Sequence, residues 1–138
     1  MRKVVKVLMY VYRDNSGKKE FFVLHRKKGD VVVLTGHVGD FIKDETIEQA
    51  AAREAEEELG VKPEKILKLD MFVDVIIPEK QVESREHAFL IKIPNKDVHF
   101  LEGDERHQWH SFRELSQVLT YSNQKKPLVN IKKFDNVV

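Results

Sequence analysis

The chain has 138 residues, with 24 Lys and Arg against 23 Asp and Glu, six His and no Cys. That length suits a single domain spanning residues 1–138, because domains of ~150 residues bury roughly 70% of the surface exposed by their unfolded chains. Near-balanced charge gives no reason to expect a nucleic-acid polymer or a membrane surface as partner. The lack of cysteine removes disulfide scaffolds, thiolate zinc sites and cysteine nucleophiles together, and it suits a reducing cytoplasm. The start, MRKVVKVLMYVYRD, is basic and then apolar, like a secretory signal. However, Lys6 interrupts the run, and Arg13 and Asp14 stand where small cleavage-site residues belong. No segment approaches the ~20 apolar residues that span a bilayer. A soluble, cytoplasmic protein is expected.

In chain order, Val4 to Tyr12 is rich in β-branched and aromatic residues, and the polar turn DNSGKK leads into EFFVLHR. This predicts a hairpin. A third apolar run, Val31 to Leu34, ends in a glycine-bearing loop, TGHVGDFIKDE. From Thr46 to Leu59 the pattern turns helical: Thr46 is placed as N-cap, alanines cluster at positions 50, 51, 52 and 55, and Gly60 stands where a helix stops. ILKLDMFVDVII and HAFLIKIP read as two further strands joined by the loop PEKQVESRE. QWHSFRELSQVL reads as a short strand and a helix capped at or beside Ser111. Ser122 to Phe134 reads as a final helix, although Pro127 is at odds with a helix interior. Strands, helix, strands and helices in this order predict one α/β domain, a mixed β-sheet with helices on its faces.

The densest chemistry lies in REAEEELG, Arg53 to Gly60. At ~100° per residue, Glu54, Glu57 and Glu58 share one helix face, while Glu56 points elsewhere. Like charges at these spacings cost a few tenths of a kcal/mol per pair, so something should offset them. A hard divalent cation such as Mg²⁺ prefers oxygen ligands and is commonly shared between carboxylates and substrate phosphates. A merely solvated acidic face is the bland alternative. The neighbouring stripe Ala52, Ala55 and Leu59 argues against it, since small residues let the helix lie close to the sheet and put the carboxylates on a cleft wall.

The stretch Gly39 to Val61 resembles the Nudix box: G, five residues, E, seven residues, then REUxEExGU with U aliphatic. Gly39, Glu45, Arg53, Glu54, Glu57, Glu58, Gly60 and Val61 fill its positions, with Ala55 at the first U. The box covers 23 of the 138 residues, and the element order around it is similar to the Nudix α/β/α sandwich. The loop LTGHVGD also resembles the family's TG.VE loop with about three extra residues before Glu45. On that alignment Gly36, not Gly39, is the structural counterpart of the box glycine. The metal-binding carbonyl before the glycine then belongs to Thr35, or else to Val38.

The resemblance implies a pyrophosphohydrolase of nucleotides or related polyphosphates, dependent on Mg²⁺ or Mn²⁺. Glu54, Glu57 and Glu58 would ligate metal, Arg53 would clamp Glu45, and Glu54 or Glu57 would act as base. A further acidic ligand is expected ahead of Trp109, among Glu102, Asp104 and Glu105, with Glu105 preferred and Glu86 a weaker candidate. Arg26, beside Lys27 and Lys28, is a candidate for the phosphate chain, and Tyr121 for stacking on a base. His107 and His110 read as surface or packing residues. The tail LTYSNQKKPLVNIKKF is similar to endings of Nudix enzymes acting on diadenosine polyphosphates and of the dihydroneopterin triphosphate type, although Pro127 departs from both. The candidate substrates are therefore an NTP, a dNTP or a diadenosine polyphosphate. Dihydroneopterin triphosphate is the alternative, and a nucleotide-binding module without catalysis is a further one. Either a monomer or a homodimer would be compatible.

Overall fold

The computed structural model describes residues 1–40, 42–98 and 105–134. The opening apolar run forms one long strand, Arg2–Asn15 (β1), which turns into Lys18–His25 (β2). Gly17 at φ +88° makes the reversal, and its N–H donates to Asp14 Oδ1 at 2.9 Å. The chain closes with an aspartate side chain what a backbone turn would close with a carbonyl.

The next segment corrects the sequence reading. Val31 to Leu34 is not one strand: Val31–Val32 (β3) pairs with β2, and Leu34–His37 (β4) pairs with β1. Val33 lies between them, its N–H donating to Gln124 Oε1 at 3.0 Å. Thr35 and Gly36, expected in a loop, therefore lie inside a strand. Their own propensities do not ask for one; pairing with Lys6 to Met9 of β1 imposes it.

The helix Ile47–Leu59 (α1) forms as expected. Thr46 Oγ1 accepts from the Gln49 N–H at 3.1 Å, Gln49 Oε1 accepts from the Thr46 N–H at 2.9 Å, and Gly60 ends the helix at φ +69°. Its buried stripe is Ala50, Ala51, Ala55 and Leu59, with Ala52 only half-buried, a small rotation from the expected one.

Lys65–Ile77 (β5) leads through one 3₁₀ turn, Pro78–Lys80, into Val82–Lys92 (β6). Most of the loop expected over 78–86 is thus strand. Its period-two pattern was hidden because two inward positions carry polar residues, Ser84 and Glu86, both buried. Arg106–His110 (β7) then pairs with β2. The helix Phe112–Val118 (α2) follows, capped by Ser111 and Glu114 in a reciprocal pair. The final helix is two short ones, Ser122–Lys125 (α3) and Leu128–Ile131 (α4), interrupted at Pro127, which has no N–H to continue the ladder.

The main path through the sheet runs β3, β2, β1, β6, β5. β1 is parallel to β6 from Arg2 to Tyr12 and antiparallel to β2 and β4, so the sheet is mixed, as expected. Alternation along β1 feeds two cores. Val7, Met9 and Val11 pack with Ala50, Ala51, Ala55 and Leu59 of α1. Leu8, Tyr10 and Tyr12 pack with Leu115 and Leu119 around α2 and with Leu128 and Ile131 of α4. Helices thus cover both faces, giving an α/β/α sandwich. The buried Tyr10 hydroxyl donates to the Gln124 carbonyl, tying α3 to the sheet.

Candidate active site

On the α1 face, the close approach that small alanines allow brings Glu54 against β4. A Cβ at Gly36 would lie 2.4 Å from both Cγ and Cδ of Glu54 and 2.7 Å from its Oε2, so any side chain there would displace Glu54. Glu54 is 8% exposed. Gly39 has a different reason to be glycine: its φ is +80°, and its N–H donates to Glu45 Oε1 at 3.1 Å. Both glycines of the ambiguous loop therefore have a structural reason, Gly36 in its contact with Glu54 and Gly39 in its backbone conformation.

Arg53 organises the acidic residues. Nε donates to Glu45 Oε2 at 2.7 Å and Nη2 to Glu45 Oε1 at 3.0 Å, the two-point clamp that the resemblance implied. Nη1 donates to Glu54 Oε1 at 3.0 Å and to Glu57 Oε2 at 3.1 Å, and Nη2 also reaches the His37 carbonyl at 3.1 Å. A guanidinium has five N–H donors, and five acceptors take them here. The Arg53 hydrogen bond pulls the Glu45 carboxyl below the usual carboxylate range, while the surrounding carboxylates raise Arg53. Glu54 moves the other way: burial raises it, and the shared Arg53 only partly opposes this.

One positive charge thus serves three carboxylates, with Glu58 four residues beyond Glu54 on the same helix. Among the described residues no three acidic or histidine side chains close on a single point ready to hold a metal. Glu54, Glu57 and Glu58 do not converge as a finished cage; Glu45, Glu54 and Glu57 gather on Arg53 instead. The donor set still fits a hard divalent cation. It is all-oxygen, and it includes a desolvated carboxylate packed against Gly36.

The remaining candidates separate by face. Glu105 precedes β7, half-buried, and does not join the helix carboxylates. Glu102 and Asp104 lie outside the described residues. Glu86, placed by sequence near the same region, sits on the opposite face of the sheet, in the row that continues through Ala88 and Leu90 into the other core. There it lines a cleft of about 710 Å³ together with Lys6, Arg26, Thr35 and Tyr121. Arg26 pairs with the buried Asp30 through Nε at 3.0 and 3.1 Å and through Nη2, and Tyr121 donates to Asp30 Oδ2 at 2.7 Å. These bonds hold Asp30 down to about 2. Asp30 was missed in the sequence, where its only signal is its place four residues after Arg26, across the turn at Gly29. His107 stacks on Phe22 with ring centroids 5.3 Å apart, and His110 lies 3.7 Å from Glu114; both pack, as expected.

An α/β/α sandwich with an arginine-organised glutamate helix beside a strand glycine defines a Nudix-type protein. The chain belongs to the NUDIX family: the family model, NUDIX domain, matches residues 2–130. It is similar to a NUDIX hydrolase from Listeria monocytogenes at 22% identity, covering 94% of this chain and 92% of the other, with a TM-score of 0.77. It is similar to a C. elegans Ap4A hydrolase, solved as a binary complex, at 23% identity, 95% and 96% coverage and a TM-score of 0.74. It also resembles the E. coli dihydroneopterin triphosphate pyrophosphohydrolase, at 17% identity, 97% coverage of each chain and a TM-score of 0.74. No curated protein matches it by sequence. Membership of this family indicates a pyrophosphohydrolase of the Nudix class, and the solved structures show that the fold is shared. Among the described residues no helix is long and apolar enough to cross a membrane.

Proposed function

We propose that the chain hydrolyses a nucleoside di- or triphosphate derivative, with Mg²⁺ or Mn²⁺ held by Glu54, Glu57 and Glu58. The observation that carries this reading is the sharing of Arg53 Nη1 between Glu54 and Glu57, with Glu54 pressed against Gly36. Such a metal supplies neutralisation of phosphate oxygens and lowers the pKa of the attacking water. The rest is the work of this chain's own residues. Glu45, buried and doubly bonded, anchors Arg53; Arg53 fixes the rotamers of Glu54 and Glu57; one of that pair accepts the proton from water as it attacks phosphorus. Among the described residues β4 pairs only with β1. A ligand seated in the cleft beside Thr35 can therefore bring its phosphate chain round the outer edge of β4 to the glutamates.

The test is a phosphate-release screen over NTPs, dNTPs, diadenosine tetraphosphate, ADP-ribose and dihydroneopterin triphosphate, with pyrophosphatase added. The expected outcome is release from at least one compound that depends on divalent metal. Calorimetric binding of Mg²⁺ without any release would instead support a binding module. Absence of both would end the hydrolase reading.

A further inference from the structure

The cleft opposite α1 contains polar groups of two kinds. Three on its wall are already committed, Gln124 Oε1 to the Val33 N–H, the Tyr121 hydroxyl to Asp30, and Arg26 to Asp30, and Glu79, Lys80 and Asn123 line it as well. Those on its floor are not. Lys6 and Glu86 face each other across the parallel pair β1 and β6 and continue the rows of Leu8 and Ala88. Among the described residues Lys6 is in no close ion pair, and its charge acts on Glu86. Glu86 is 5% exposed, yet it lines the cleft. The nearby Ser84 hydroxyl is fully buried and makes no complete hydrogen bond. A desolvated carboxylate without a tight partner is costly, and burial accordingly raises Glu86, with Lys6 and Ser84 only partly opposing. Structure alone would be served better by an apolar pair at these positions.

We propose that Lys6 and Glu86 select the ring of the substrate by reading a 2-amino-4-oxopyrimidine edge, the edge shared by guanine and pterin. That edge presents two adjacent donors, a ring N–H and an amino group, beside a carbonyl. The Glu86 carboxylate accepts from both donors, and the Lys6 ammonium donates to the carbonyl. Adjacent strands lie roughly 4.8 Å apart, which places acceptor and donor side by side as the edge requires. Adenine reverses the pattern. Its amino group would face the ammonium and its bare ring nitrogen the carboxylate, so it is rejected by repulsion as well as by lost bonds. Val32, Val33 and Val75 supply apolar walls for a flat ring.

This inference rests on the hydrolase reading for the orientation of the phosphate chain, but its test does not require turnover. Binding of GMP, neopterin monophosphate and AMP to the full chain is measured by calorimetry without divalent metal, for the wild type, Glu86→Gln and Lys6→Met. The expected result is that GMP, neopterin monophosphate or both bind at least about tenfold more tightly than AMP. Each variant should erase much of that preference, by on the order of tenfold to a hundredfold for a two-point contact. A tighter GMP identifies a guanine nucleotide as the source of the edge, and a tighter neopterin compound a pterin. Equal affinity for AMP, no binding of either favoured compound, or a preference unmoved in both variants overturns the inference while leaving the hydrolase reading intact. Failure of phosphate release with the preference preserved does the opposite.

Discussion

The two faces of the sheet handle charge in opposite ways. On the α1 face, three carboxylates and a backbone carbonyl are gathered on one guanidinium whose donors are all used. On the cleft face, Arg26, Asp30 and Tyr121 satisfy one another at the wall, while Lys6 and Glu86 face each other on the floor without a close ion pair. The difference teaches where ligand binding is prepared. On the proposed reading, a saturated arginine fixes geometry and leaves negative charge for a cation, whereas a donor and an acceptor without a close ion pair leave hydrogen bonds for a ring.

Four changes would break or sharpen that contrast. Glu57→Gln has the largest expected effect: hydrolysis falls on the order of 10²–10⁴-fold. Its side chain is 59% exposed, so thermal melting in metal-free buffer should barely move. Near-full activity in this variant would remove the helix from the chemistry.

Arg53→Ala tests the saturated side by stability. It leaves Glu45, whose side chain is 1% exposed, buried without its partner, which costs roughly 3–5 kcal/mol in denaturant unfolding. A Glu45→Ala, Arg53→Ala double variant should recover part of that loss, and strict additivity would refute the clamp.

Asp30→Asn probes the satisfied wall. Asp30 is pulled down to about 2 in the folded chain, so its stabilisation is complete above the unfolded carboxylate range and fades as pH falls through that value. The variant should be less stable by about 2 kcal/mol at neutral pH, and the gap should close between roughly pH 5 and pH 2. A pH-independent gap would contradict this origin.

Glu54→Gln has the smallest expected effect on the stability of the metal-free fold, with the opposite sign. Burial raises Glu54, so its charged form is a burden to the metal-free fold. The variant should melt slightly higher at neutral pH, by under about 1 kcal/mol. The difference should shrink as pH falls through the raised folded value toward the unfolded one, because the wild type then takes up a proton. Added Mg²⁺ should raise melting of the wild type more than that of the variant, and an equal shift in both would remove Glu54 from the metal site.

Local patterns made much of this legible. Thr46, Gly60 and Ser111 announced their caps, because a capping side chain acts within three or four residues of itself. The Arg53–Glu45 clamp was expected only through the resemblance to the Nudix box. By contrast, β4 could not be read from Thr35-Gly36-His37, since the strand exists only through its pairing with β1. The first half of β6 was hidden for a related reason. Its inward residues are polar, and hydrophobic alternation, the usual mark of a half-buried strand, is missing where a cleft floor replaces a core.

By itself the sequence determined the class: an α/β order of elements, a capped acidic helix and a complete Nudix box, each legible in residues close together along the chain. Only the tertiary structure decided which carboxylates share a partner and which do not. It put Glu54 against Gly36 and turned Glu86 to the opposite face. Strand register assigns each side chain to one side of the sheet, and register is settled by the pairing of distant segments. Residues such as Lys6 and Glu86, far apart in the chain, become neighbours only through that pairing.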